Sequence, residues 1–239
     1  MDCNGSHHHF RCYHHGDDSS SKLCVSLVPI FNHLEEEQMK EVMATAKSIS
    51  YSRGESVYHA GNQSASLYIV NKGKIKIYRL SEAGKEQIVR ILTPGDFTGE
   101  LALFNETIHE SYAEAIEETE VCRIEGTDLH EFLLKYPSIS LKILAEFSNR
   151  LELAEKQATR FATEKVETRI AQFLAECIDS DSQTKEFMLP MSRKHLASYL
   201  GTSPETLSRK LYEFEEIGYI KQKNHKKIEI LDLEGLLSL

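Results

Sequence analysis

The spacing of apolar positions changes character several times along the chain. EEEQMKEVMATAK (Glu35–Lys47) predicts a short helix with acidic residues at its start, where the macrodipole favours them. Between about Ser48 and Gly126, short β-rich runs (Ser56–Tyr58, Leu67–Val70, Ile75–Leu80, Gln87–Leu92 and Val121–Ile124) alternate with glycines at 54, 61, 73, 84, 95 and 99. Short strands separated by turn glycines predict an antiparallel sandwich or barrel. After Pro137 the period lengthens. Leu144, Phe147, Leu151, Ala154, Ala158 and Phe161 step by three and four in turn, the seam of a coiled coil. A lone helix packed on its own domain can show the same stripe; the narrow seam, sustained for nearly three heptads, favours a parallel helix pair between two subunits.

A second helix is expected over Lys165–Ile178, then the polar loop DSDSQTKE, a compact helical unit over Met191–Gly218 and a small hairpin over Tyr219–Leu231. Residues 1–22 hold five of the eleven histidines and almost no apolar periodicity, as a poorly ordered tail would. The chain thus divides into a Cys/His-rich segment (1–22), a β-domain (23–135), a long helix (136–163) and a small α-rich domain (164–239), an α+β protein.

Composition narrows the class. With 239 residues, 41% hydrophobic and 27% charged, this is an ordinary globular chain. The longest apolar stretch, Leu23–Phe31, is interrupted by Ser26 and Pro29 and falls far short of the roughly 20 residues of a membrane span. The N-terminus lacks an apolar signal core, so a cytoplasmic protein without a membrane partner is expected. No carboxylate pair, nucleophile–base set or phosphate-loop glycine motif supports an enzyme.

The net charge of −9 argues at face value against nucleic acid. Its distribution reverses that inference. Within Met188–Lys227 eight basic residues (Arg193, Lys194, Arg209, Lys210, Lys221, Lys223, Lys226, Lys227) face four acidic ones (Glu205, Glu213, Glu215, Glu216).

That basic stretch has the outline of a helix-turn-helix. Ser192 is a suitable N-cap, Gly201 supplies the turn, and Ser203-Pro204-Glu205 restarts a helix that Gly218 closes. On a helical wheel, Ser208, Arg209 and Tyr212 fall within about 60° of Glu205, while Leu207, Leu211, Phe214 and Ile217 lie on the opposite side. One face is core. The other can present Arg209 to guanine O6 and N7 and Glu205 to cytosine N4. Ser192, Arg193, Ser203, Thr206, Ser208 and Lys210 are further candidate DNA contacts. Lys226 joins them from a wing-like turn at Asn224-His225, among lysines that can meet phosphates.

Five cysteines (Cys3, Cys12, Cys24, Cys122, Cys177) are an odd count that argues against a structural disulfide framework and opens metal or redox chemistry. Cys177, within the apolar text FLAECI, is expected in the core.

These landmarks carry a resemblance. The β-roll glycines, PGDFTGELALF (Pro94–Phe104), the long helix and the helix-turn-helix are similar to those of the CRP/FNR superfamily of bacterial transcription regulators, over nearly the whole chain. Pro204-Glu205-Thr206-Leu207-Ser208-Arg209 resembles the recognition motif of the fumarate-nitrate branch, in which Glu, Ser and Arg read TTGAT-type half-sites. The resemblance implies a β-roll (jelly-roll) sensor domain, a long dimerisation helix and a C-terminal winged helix-turn-helix. It also implies a homodimer that binds double-stranded DNA and contacts RNA polymerase.

The cyclic-AMP branch follows Gly-Glu-Leu, about ten residues on, with an Arg-Ser-Ala that grips the phosphate. Here Gly99-Glu100-Leu101 is kept, but Glu110 stands where that arginine would lie. A carboxylate about 4 Å from a phosphate turns an attraction of ~1–4 kcal/mol into a repulsion of similar size. No cyclic nucleotide is expected. The oxygen-sensing branch instead ligates a [4Fe–4S] cluster with three N-terminal cysteines and one in the β-roll. Cys24 and Cys122 stand at the last N-terminal and the β-roll positions of that pattern; Cys3 and Cys12 are more widely spaced than in the branch. A regulatory disulfide from Cys12 or Cys24 to Cys122, a zinc site in the His/Cys-rich tail, or a metal-binding module with secondary DNA binding remain alternatives. So does an inert, buried Cys122.

Overall fold

The computed structural model describes residues 27–63, 66–100, 108–178 and 185–239. Those residues fall into two compact units, one up to Glu155 and one from Lys156 to Leu239.

In the first unit, helix α1 (Glu36–Thr45) precedes eight strands: β1 (Lys47–Tyr51), β2 (Ser56–Tyr58), β3 (Ser66–Lys72), β4 (Ile75–Leu80), β5 (Glu86–Leu92), β6 (Phe97–Thr98), β7 (Tyr112–Ala115) and β8 (Thr119–Glu125). They form two antiparallel sheets, ordered β1-β8-β3-β6 and β2-β7-β4-β5. Tyr58, Val70, Ile75, Ile77, Leu92, Ala113 and Val121, drawn from both sheets, make one buried cluster. The alternation of side chains along a strand sends their neighbours the other way. Leu67, Ile69, Cys122 and Ile124 enter a second core, with Val28, Phe31 and Val42, which is closed by α2 (Gly126–Lys135) and the start of α3 (Pro137–Thr163). This is the expected β-roll.

The sequence pattern misses β1, β6, β7 and α2 for physical reasons, β6 being only two residues long. KSISY is polar and largely exposed. YAEA offers Ala and Glu, which are poor strand formers. Helix α2 opens on a glycine and buries only Leu129 and Phe132.

Gly99 is required by geometry as well as by the turn. Its φ is +92°, and a Cβ placed there would lie 2.3 Å from the Ser66 carbonyl oxygen. Gly99→Ala is therefore expected to cost at least about 1–3 kcal/mol, read as a lowered urea midpoint at unchanged m-value. An unchanged midpoint would show that the turn relaxes freely.

Helix α3 begins with Pro137 at its first position, where a missing N–H costs nothing. Ile139 and Ile143 are buried in the β-roll core and Phe147 packs against it. Leu144 and Leu151 are 61% and 62% exposed. Ala154 and Ala158 are exposed as well. Of the six residues of the expected seam, four thus face outward. Phe147 is drawn into its own domain because it lies one turn beyond Ile143 on the core-facing side. Phe161 is half-exposed, lies 3.2 Å from the position a Gly201 Cβ would take, and sits under the Arg169 guanidinium at 5.3 Å.

The second unit holds α4 (Val166–Glu176), β9 (Glu186–Met188), α5 (Arg193–Tyr199), α6 (Pro204–Ile217), β10 (Ile220–Gln222), β11 (Lys227–Ile230) and α7 (Leu233–Leu237), its strands ordered β10-β11-β9. The expected hairpin is present and gains β9 as a third strand, paired to β11 through Phe187 and Ile228. Cys177 is buried, as its apolar setting suggests. Among the described residues no helix is long and apolar enough to cross a membrane.

Candidate nucleic-acid interface

The second unit presents α6 as local sequence dictates. The Ser203 hydroxyl accepts from the Thr206 amide at 3.1 Å, Pro204 follows at the first helical position, and Gly218 (φ +91°) closes the helix in the left-handed conformation. Leu207, Leu211 and Phe214 are buried and fix the rotation of the helix about its axis. Glu205, Ser208 and Arg209 are consequently exposed together.

Arg209 is 67% exposed, with Glu213 one turn on at 3.8 Å. An exposed pair of this kind is worth little and leaves the guanidinium available. Glu205 is held below the usual carboxylate range by its own backbone N–H and then by the Ser203 hydroxyl. It therefore stays an acceptor at neutral pH.

The other candidate DNA contacts take different places. Ser192 caps α5, accepting from the His195 amide at 3.2 Å. Ser203 and Thr206 are half-buried and share the α6 cap, with hydroxyls 3.2 Å apart. Lys210 is turned from the exposed face toward Glu213 (2.8 Å) and Glu167 (3.7 Å), since it lies more than 90° round the helix from Glu205. The Arg193 guanidinium donates to the Gln222 side-chain oxygen at 2.7 Å and to the His225 carbonyl at 3.1 Å. Lys226 is exposed in the turn between β10 and β11, where the Asn224 side-chain oxygen accepts from the Lys226 and Lys227 amides, each at 2.8 Å. Lys223 pairs with Glu229 at 2.8 Å, and Lys227 pairs with Glu186. Lys221 is exposed. Gln222 and Glu215 carry no signal in the sequence pattern, because their roles depend on tertiary contacts.

In the first unit, Cys122 is 6% exposed and pairs in register with Ile69 and Ser48. Cys3, Cys12 and Cys24 lie outside the described residues. Among the described residues, no group of three His, Cys, Asp or Glu side chains could hold a metal ion.

Gly99-Glu100 leads into a buried ionic cluster. Glu100 Oε1 accepts from Arg150 at 2.5 Å and lies 3.5 Å from Arg90. Arg150 also donates to Glu146 (2.8 Å) and to the Phe97 carbonyl (3.2 Å), and its guanidinium lies 4.1 Å from the Phe97 ring centre. The His109 ring stacks on Tyr58 at 3.6 Å, and Tyr58 bonds to Thr98 at 2.7 Å. Burial holds the His109 imidazole below its ordinary range. Glu110 is exposed and paired with Arg79 at 2.6 Å.

A β-roll, a long helix and a capped helix-turn-helix with a three-stranded wing define a DNA-binding transcription regulator. Two family models match, a cyclic nucleotide-binding domain over residues 48–136 and a Crp-like helix-turn-helix domain over residues 168–239. The chain belongs to the Crp/FNR family of transcription regulators and is not an enzyme.

Its relatives include the anaerobic regulatory protein of Haemophilus influenzae, 32% identical over 230 residues, which cover 95% of this chain and 87% of the relative. The fumarate and nitrate reduction regulatory protein of Vibrio cholerae is 31% identical, with 95% and 90% covered. A probable transcriptional regulator, flp, of Lacticaseibacillus casei is 33% identical, with 89% and 96% covered. Among solved structures, FixK2 of Bradyrhizobium japonicum matches with a TM-score of 0.70 at 26% identity, covering 81% of this chain and 96% of that one.

Proposed function

We propose that this regulator binds, as a homodimer, TTGAT-like palindromic sites, and that oxygen or redox state controls it through its N-terminal cysteines and Cys122. The exposed Glu205, Ser208 and Arg209 on one face of α6 carry the DNA half of this reading. Arg209 pairs with guanine and Glu205 accepts from cytosine. The exposed Leu144, Leu151, Ala154 and Ala158 on α3 favour dimerisation, and RNA polymerase is the partner expected of such a regulator.

For the sensor, the relatives named for anaerobic regulation and for fumarate and nitrate reduction support an oxygen or redox signal. The donor chemistry fits a [4Fe–4S] cluster held by Cys3, Cys12, Cys24 and Cys122, four thiolates being its usual ligand set. Bound there, such a cluster supplies an oxygen-labile link between the N-terminal segment and the β-roll. Cys122 shares its buried core with Val28. A second reading is a disulfide switch from Cys12 or Cys24 to Cys122, which needs only one partner thiol.

Anaerobic purification with iron, sulfide and zinc quantification, followed by thiol counting before and after air, separates these outcomes. Four iron and four sulfide per chain, bleached by air, support the cluster. Loss of two thiols on oxidation without iron supports the disulfide. Unchanged thiols and no iron would overturn redox sensing and leave DNA binding standing.

A further inference from the structure

The wing carries phosphate-seeking lysines and α6 carries the base-reading residues. The two can act on one duplex only if their spacing is fixed. A single hydrogen-bonded chain spans three elements of this unit. From α5, Arg193 donates through Nη2 to Gln222 Oε1 at 2.7 Å and through Nε to the His225 carbonyl at 3.1 Å. From β10, Gln222 donates through its amide N–H to Glu215 Oε1 at 2.7 Å and through Nε2 to Glu215 Oε2 at 2.8 Å. Glu215 stands on α6 two turns beyond Ser208, near the end that leads into the wing, and Gln222 Nε2 also reaches the α6 carbonyl of Leu211 at 3.5 Å.

The fork of Arg193 thus grips both the strand and the tip of the wing, and the Glu215 carboxylate accepts from the backbone and the side chain of Gln222. A lysine has no such fork and could not hold both acceptors in one plane. Arg193 is half-buried, as befits a strut more than a phosphate contact. Burial also draws its guanidinium below the ordinary range, with the Glu215 charge opposing that shift.

We infer that Arg193, Gln222 and Glu215 are positioning residues that lock the wing to the recognition helix, so that Lys221 and Lys226 meet DNA phosphates while Arg209 meets bases. This rests on the DNA-reading face proposed above and assigns Arg193 to the wing's alignment instead of to the DNA.

The experiment measures the dependence of affinity on salt for the full-length protein, on a TTGAT palindrome and on scrambled duplex. The variants are Gln222→Ala, Arg193→Ala, their double variant and Lys221→Ala/Lys226→Ala. Binding is read well below each variant's melting temperature. For every phosphate that a variant no longer neutralises, the log–log slope flattens by roughly 0.9. Gln222→Ala, which removes no charge, is expected to flatten the slope and weaken both duplexes by roughly 5–30-fold per wing at 0.15 M salt. It should do so in step with the lysine variant, and the palindrome-to-scrambled ratio should hold.

Arg193→Ala should match Gln222→Ala, and the double variant should be no worse than either. Two results would overturn the inference. One is an unchanged slope for Gln222→Ala with a loss confined to Arg193→Ala, which makes Arg193 a direct phosphate contact. The other is lowered melting temperatures with unchanged slopes, which makes the network purely structural. Failure of the base-reading proposal shows separately, as a wild-type protein with no preference for the palindrome. The slope comparison on scrambled DNA is decided independently of that preference.

Discussion

Arg209→Ala is expected to weaken binding to a TTGAT-type palindrome by about 1–3 kcal/mol per half-site, roughly 5–150-fold, and to relax the preference at the guanine it faces. The size follows from geometry. Arg209 is 67% exposed, its ion-pair partner Glu213 lies 3.8 Å away, and the burial of Leu207, Leu211 and Phe214 prevents the helix from rotating to offer another residue. Little is therefore spent in freeing the guanidinium, and most of the bidentate pair's value is available to discrimination. Titrations of palindrome and scrambled duplex at one fixed salt concentration provide the check. Equal loss on both would make Arg209 a phosphate contact and move the site of readout elsewhere on α6.

Arg150→Ala is expected to have the largest effect on stability, about 3–5 kcal/mol. Arg150 and Glu100 have side chains only 15% and 7% exposed, and Glu146, the second carboxylate on the same guanidinium, is 12% exposed. Removing the arginine takes from the nearly buried Glu100 its closest cation, Arg90 lying farther off at 3.5 Å. Water cannot easily repay that charge. Against a typical total of about 5–15 kcal/mol, such a loss takes much of the folding free energy. The urea midpoint should fall sharply, and Glu100→Gln should cost much less in an Arg150→Ala background than alone. Additive losses would show that the two groups are not coupled.

How far the sequence could be read depended on whether each feature was local. The caps of α5 and α6 rest on Ser192, Ser203, Pro204 and Gly218, residues whose conformational demands act within a few positions, and each stands where its chemistry requires. The core strands β3, β4, β5 and β8 were legible because their apolar residues are rich in β-branched types and stand in short runs or alternate with polar ones. The seam of α3 was only partly legible. A 3-4 spacing marks an apolar stripe without saying what covers it. Phe147 is claimed by the β-roll core, while Leu144 and Leu151 are not.

Charge was the least legible feature. Lys210, Arg193, Lys223 and Lys227 read alike as basic residues of a DNA-binding segment. Their partners, Glu213, Gln222, Glu229 and Glu186, are set by strand register and helix packing. The same holds for Gly99-Glu100. The motif was visible, and Gly99 does serve a tight turn, but the two arginines that converge on Glu100 come from β5 and from α3, ten and fifty residues away. Only tertiary structure brings them together.

The central claim is that α6 reads DNA sequence through Glu205, Ser208 and Arg209. Its most direct test compares the affinity of the wild-type protein, anaerobically purified, for a TTGAT palindrome and for the same duplex with both half-sites scrambled, at 0.15 M salt. A base-reading regulator should favour the palindrome by about 10³-fold or more. Equal affinity for the two duplexes in both the reduced and the air-oxidised protein would contradict it.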